Sequence, residues 1–236
     1  MTAWEPMSAK AIPRCVILGG GGHARVVVDA LLLSEAAIPY AVLDADQSLW
    51  GTMLLSVPIR GGDASLDALT REGVTTFVVG LGGVRENGPR QRLFELGLQH
   101  GLTPLTVRHP SAVCSPWAEI GPGSVLLPTS VVNAGAKLGV NVIVNSGAII
   151  EHDCLIGDHV HIATGATLAS TVTVGRLAHI GAGATIRQCL RIGEAAVVGA
   201  GAVVVDEVPA GAVVAGVPAR PLRNAQAATP GMWRAR

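Results

Sequence analysis

Two different rhythms of apolar positions run along the chain. From Cys15 to about Pro104, short apolar runs alternate with patterns of helical period. CVILGG (15–20) reads as a buried strand and ARVVVDALLLSE (24–35) as the helix after it. YAVLDAD (40–46) predicts a second strand, SLDALTREG (65–73) a helix, TFVVGLG (76–82) a third strand and PRQRLFELGLQHG (89–101) a last helix. Strands alternating with helices in this way imply a small parallel sheet covered by helices.

After His109 the period becomes six. Starting at Ile120 and ending at Val204, every sixth residue is Leu, Ile or Val, fifteen in succession without an insertion. The next residue is Gly in seven of these hexads, and the fifth position is small or aliphatic, as at Ala136, Ala148, Cys154 and Ala166. A repeat of this kind marks a parallel β-helix, in which each hexad is one short strand plus a corner. Three hexads close one coil, so fifteen predict five coils, with each inward aliphatic stacked on its equivalent eighteen residues away. An α-helix is excluded, because a period of six does not match 3.6 and glycine is too frequent. Beyond Val204, the proline-containing segment through GAVVAGVPARPLR can cap the last apolar layer. The expected division is an α/β domain over 1–108, a β-helix with its closing segment over 109–223, and a C-terminal tail over 224–236.

Composition sharpens this picture. Thirty glycines in 236 residues, with only 3% aromatics, suit many small repeated spaces rather than one bulky core. Seventeen basic and seventeen acidic residues balance, which leaves no basic footprint for nucleic acid and no like-charge block for a membrane surface. No apolar run approaches the roughly 20 residues of a membrane span, and the first residues do not form a signal peptide. The four scattered cysteines form no C-x-x-C pair and read as small hydrophobes in a reducing compartment. The expectation is a soluble cytoplasmic protein.

Three motifs give the chain a family resemblance: VILGGGGHARVVVDAL, NSGAIIEHDCLIGDHVHIATGATLAS and GAVVAGVPARPLR. The chain resembles the bacterial sugar-nucleotide N-acetyltransferases that act on 4-amino sugars in glycan biosynthesis, relatives of the sialic-acid O-acetyltransferases. The resemblance implies that the β-helix is left-handed. It also implies a homotrimer with acetyl-CoA in the cleft between neighbouring β-helices, a nucleotide-linked amino sugar on the N-terminal domain, and no metal.

The residues can be read one by one. Gly19-x-Gly21-x-x-Ala24 lies between a strand and a helix, with Asp44 at the end of the next strand, which fits a dinucleotide fingerprint with its ribose-binding acid. Backbone N–H groups at such a helix start hold phosphate. NAD is the alternative occupant, but this length of chain holds only one mononucleotide half of the usual fold. By resemblance the turn (Gly19, Gly21, Gly22), His23, Asp44 and Asp46 face the nucleotide and its sugar. Gly82 and Gly83 close the pocket, and Arg85 touches phosphate.

Glu151-His152-Asp153 sets three ionisable residues together in an otherwise nearly uncharged repeat. A sugar ammonium must lose a proton for its nitrogen to attack a thioester, and an imidazole suits that task. A carboxylate beside the ring would orient it. The resemblance gives His152 the role of base and Asp153 that of orienting acid. Asp153 also lies nearer the turn at Cys154, while Glu151 remains the competing candidate.

Ser170 is three hexads beyond His152, so its N–H should stand near the thioester carbonyl; relatives commonly have Gly there. By resemblance His161 and Asn145 line the acetyl-CoA cleft and Arg220 meets the phosphates of CoA. His161 and His179 should stack on one face, which suggests a shared trimer seam. A zinc reading of the pair, as in β-helical carbonic anhydrases, lacks a third ligand. His159 and His179 are expected at the surface or the seam. The competing functions are O-acetylation of a sialic-acid-like sugar and a non-catalytic scaffold with a nucleotide-sensing domain.

Overall fold

The computed structural model describes residues 12–83 and 86–222. Arg85 and the tail at 224–236 lie outside the described residues. The N-terminal unit runs β1 (Arg14–Leu18), α1 (Gly22–Ser34), β2 (Ile38–Leu43), a short hairpin of β3 (Met53–Leu54) and β4 (Val57–Pro58), α2 (Leu66–Arg71), β5 (Val74–Val79), α3 (Gly88–Gln99) and β6 (Thr103–Pro104). Its four-stranded sheet has the order β2-β1-β5-β6, with all neighbours parallel. The strands are near-continuous apolar runs because both sheet faces are covered. Ile17 and Val78 pack with Val27, Val28 and Leu31 of α1. Val16, Leu18 and Phe77 pack with Leu66 and Leu69 of α2 and Phe94 of α3.

The remainder is a parallel β-helix of three faces. The first face carries the rungs Val107–Arg108, Val125–Leu126, Ile143–Val144, His161–Ile162, His179–Ile180 and Val197–Val198. The second runs from Val113–Cys114 through Ile149–Ile150 to Val203–Val204, and the third from Glu119–Ile120 to Arg191–Ile192. Each rung pairs in register with the one eighteen residues on, as Ile143 with His161 and His161 with His179. The second residue of each rung points inward, so Leu126, Val144, Ile162, Ile180 and Val198 form one buried column of a single core. The glycine after it is required by the close approach of the next coil. A Cβ at Gly157 would lie 2.6 Å from the Arg176 backbone nitrogen.

The β-helix is longer than five coils, with about six turns. Two rungs precede Ile120, and the first of them, Val107–Arg108, falls just before the boundary expected at 109. Arg108 and Cys114 hold the inward positions there. They break the aliphatic pattern because the end layer has no coil beneath it, and the Arg108 guanidinium instead donates to Ala112 O (3.0 Å). At the other end Val213–Ala215 adds a rung and Arg220–Pro221 pairs antiparallel to it.

The α1 side of the sheet and α1 itself lie against the first face of the β-helix, where Val107, Val125 and Leu127 join their core. This contact positions everything described below.

Removing an inward side chain should be far more damaging than removing its outward neighbour. Ile192→Ala, at a buried position, should cost about 2–5 kcal/mol. Arg191→Ala, on the exposed side of the same rung, should stay within about 0.5 kcal/mol. Urea unfolding of both at one protein concentration measures the difference.

Candidate active site

The edge between the second and third faces carries His152. The chain turns there with Asp153 in the left-handed region (φ 60°), and this turn swings the carboxylate back beside the imidazole. Asp153 Oδ2 accepts from His152 Nδ1 at 2.8 Å, and both side chains are exposed. Glu151 is engaged differently, its Oε2 accepting the His152 backbone N–H at 3.2 Å. The next coil stacks directly on the site, with Thr171 N–H donating to His152 O (3.0 Å). Ser170 therefore stands one coil, about 4.8 Å, from His152. Among the described residues its N–H has no backbone acceptor, while its carbonyl receives Cys189 N–H. Asp206 takes the place of His152 three coils on, and Arg220 Nη1 reaches its Oδ2 at 3.4 Å. His152, Asp153, Ser170 and Arg220 thus lie along one edge of the prism.

Asn145, His161, His23, Gly82 and Gly83 form a second group, on and beside the first face. His161 Nδ1–H donates to Gly83 O (2.7 Å), and its Nε2 accepts from the Asn145 amide (3.2 Å). Its ring packs edge-on to His179 (centroids 5.0 Å) and lies 6.3 Å from His23. The expectation that His159 and His179 are superficial is corrected here. Both are buried, at 6% and 9% exposure, because the N-terminal domain covers the first face. The His159 ring meets Phe94 of α3 (5.6 Å) and bonds Asn141. For the same reason His161 packs against its own N-terminal domain, through Gly83 and His23, and the stacking of His161 on His179 is not by itself a sign of a seam between chains. Among the described residues no three His, Cys, Asp or Glu converge as a metal site would require.

Burial keeps these imidazoles neutral. It holds His23 down to about 3, with the Arg90 charge adding to it. His161 is also held to about 3, by burial and then by His179, and burial holds His179 to about 4.

A cavity of about 560 Å³ opens beyond the C-terminal ends of β1 and β2, between Gly19, Leu43 and Asp44 on one side and Arg92, Leu93 and Leu96 of α3 on the other. Asp44 is tied inward, accepting N–H groups from Gly20 (2.5 Å) and Asp46 (2.8 Å). Asp46 in turn caps the turn at Ser48 (2.9 Å). Gly21 offers no side-chain cap to α1, so the first N–H groups of that helix remain open for an anion. Gly19 and Asp44 line this cavity, whereas His23, Gly82 and Gly83 sit on the β-helix side. Asp63 also lines the cavity, and neither its contribution nor that of α3 was foreseen from sequence. The Arg92-Leu93-Leu96 spacing gave one signal for α3, a shared helix face.

The chain is similar to known proteins over both of its parts. The PglD N-terminal domain family matches residues 14–96, and the bacterial transferase hexapeptide family (six repeats) matches residues 153–188. Among curated proteins no significant match is found. Perosamine N-acetyltransferase from Caulobacter crescentus, solved with CoA and GDP-perosamine, is 36% identical; the match covers 90% of this chain and 98% of that one, with a TM-score of 0.83. This chain belongs to the sugar-nucleotide amino-sugar N-acetyltransferases. The chain is also similar to the acetyltransferase domain of PglB from Neisseria gonorrhoeae, solved in complex with acetyl coenzyme A (34% identity, 90% and 100% coverage, TM-score 0.82). WeeI from Acinetobacter baumannii is 30% identical over 88% and 99% of the two chains, with a TM-score of 0.79. The N-acetyltransferase fold is accordingly the left-handed β-helix of hexapeptide repeats behind an α/β domain.

The neutral histidines predict that this N-acetyltransferase loses stability in acid. An unfolded chain takes up protons near the ordinary 6.5, whereas His23, His161 and His179 resist protonation down to about 3–4 when folded. Stability is therefore full above about pH 6.5 and falls as pH drops towards 4, each group adding up to about 1.4 kcal/mol per pH unit. Thermal unfolding midpoints between pH 7 and 5 should fall steeply, and His179→Asn should flatten that fall.

Proposed function

We propose that the chain transfers the acetyl group of acetyl-CoA to the amino group of a nucleotide-linked 4-amino sugar, with His152 as general base. The observation that carries this reading is the His152–Asp153 pair in a chain of this family. Because Asp153 takes Nδ1–H at 2.8 Å, Nε2 presents its lone pair outward to a substrate amine. That nitrogen attacks the thioester carbon while His152 takes its proton. The Ser170 N–H receives the developing oxyanion, and the C–S bond breaks to release CoA, whose sulfur recovers the proton. Arg220 lies on the same edge, about 14 Å away at 4.8 Å per coil. This spacing suits an extended CoA with its phosphates at Arg220 and its thioester at His152. The cavity beside Gly19 and Asp44, under the open start of α1, takes the nucleotide.

In a single chain the two groups of residues are far apart. The N-terminal domain covers the first face, and the edge bearing His152 is the one opposite that face. A threefold assembly resolves this. Val113, Val131, Ile149, Thr167, Thr185 and Val203 point outward from the second face, an uncharged and mostly apolar strip suited to the threefold axis. With second faces inward, the His152 edge of one chain meets the neighbouring edge that carries Asn145, close to His161 and the sugar-binding domain.

Four measurements test this. Acetyl-CoA with a panel of UDP-, GDP- and TDP-linked amino sugars should release free thiol, and no release with any of them rejects the reading. His152→Ala should lower kcat at least about a hundredfold at nearly unchanged KM. Asp153→Asn should lower it substantially and Glu151→Gln much less; the reverse order would give the orienting role to Glu151. Light scattering should give three times the chain mass, and a monomer at micromolar concentration removes the trans arrangement.

A further inference from the structure

Helix α3 meets the β-helix through Asn87 at its N-cap, Arg90 and Phe94, which share one helix face. They address one corner column with a residue from each coil: Gly123, Asn141, His159 and Leu177. Asn87 Nδ2 donates to Leu177 O (3.1 Å) and Ala178 O (2.9 Å). A Cβ at Gly83 would collide with Asn87 Oδ1, so only glycine lets this side chain pass. Phe94 lies edge-on to His159.

Arg90, at the centre, is fully buried, and among the described residues no carboxylate pairs with it. Burial lowers its pKa to about 9. Its Nη2 donates to Asn141 O (3.0 Å) and Oδ1 (2.7 Å), and its Nη1 donates to Leu81 O. Asn141 Nδ2 returns a bond to Arg90 O (3.3 Å) and another to His159 Nδ1 (3.0 Å). A buried guanidinium held only by carbonyl groups is costly, and an apolar side chain would dock the helix at less cost. What an apolar residue cannot do is span two elements with one rigid, planar fork.

The two elements are informative. Leu81 begins the strip Leu81–Gly83 after β5. Gly82 lies against His23, to which an added Cβ would approach within 3.2 Å. Gly83 O holds His161, and His161 holds Asn145. We infer that Arg90 is a positioning residue: it fixes the strip Leu81–Gly83 to the β-helix corner at Asn141, and so sets His23 and the His161–Asn145 pair in one frame. The assignment of His23 to the amino-sugar side and of Asn145 to the acetyl side rests on the acetyl-transfer reading above. The joint itself does not.

The test compares Arg90→Met, Arg90→Lys and Asn141→Gly with wild type. Lysine keeps the charge but not the fork, and glycine suits the left-handed backbone at Asn141 (φ 54°) while removing its side chain. Two readouts are used on protein checked for unchanged mass and unfolding midpoint. The first is KM and kcat for both substrates. The second is the Nδ1–H signal of His161 in protein labelled with ¹⁵N-histidine, which needs no turnover. All three variants should raise the amino-sugar KM by about tenfold or more, as misplacement at a reacting site does, and should broaden or shift the His161 signal. Unchanged KM values with an intact His161 signal overturn the inference, even if less active protein is recovered. Restoration of both readouts by lysine overturns it as well, since charge alone would then suffice. If Arg90→Met does not fold, Asn141→Gly decides on the same two readouts. If wild type acetylates no sugar in the panel, the acetyl-transfer reading fails, while the His161 signal still judges the joint.

Discussion

Each inward Ile, Leu or Val of the β-helix must find its equivalent eighteen residues further on, and the rest of the structure depends on that stacking. The side chains at 126, 144, 162, 180 and 198 share one column, so the coils cannot slip by a single residue without turning the core outward. Register in turn fixes which residues share an edge. His152, Ser170 and Asp206 align because they hold one place in their hexads, not because any contact among them enforces it. An enzyme built this way obtains a straight, rigid ruler along which an elongated cosubstrate can be laid.

The outward residues carry a second pattern. On the first face Val107, Val125 and Ile143 are apolar and fully buried under the N-terminal domain, and the next two places are His161 and His179. Three of these five places therefore dock by hydrophobic burial, and two by imidazoles that burial keeps neutral. Desolvating polar rings weakens the docking compared with continued Val and Ile. The hydrogen bonds of His161 to Gly83 and Asn145 show what is gained there: a fixed tautomer and a fixed orientation where two domains meet.

The β-helix was legible in the sequence because period six has no competing explanation, and the sheet domain because its strands are unbroken apolar runs. Arg108 and Cys114 hid the first coil, since an end layer does not require aliphatics. The pairing of His152 with Asp153 could be foreseen from the place of the turn at Cys154. The burial of His159 and His179 could not. A hexad identifies what points inward, but what covers an outward residue depends on how a separate domain docks. The same limit concealed Arg90, which reads in sequence as one more charge on an exposed helix, and the side of α3 that faces the cavity.

Asp153 occupies a backbone conformation that L-residues adopt at a cost of up to about 1–2 kcal/mol, although aspartate tolerates it better than most. The equivalent corner one coil earlier is Gly135, at φ 75°, where no such cost arises. Selection for stability alone would drift this position towards glycine or asparagine, and either change would remove the carboxylate beside His152. Relaxing the left-handed corners to make the protein more heat-resistant is free of this conflict at Thr171 or Cys189, whereas at Asp153 it removes the carboxylate on which the proposed chemistry relies, so that stability and the proposed role pull one residue in opposite directions.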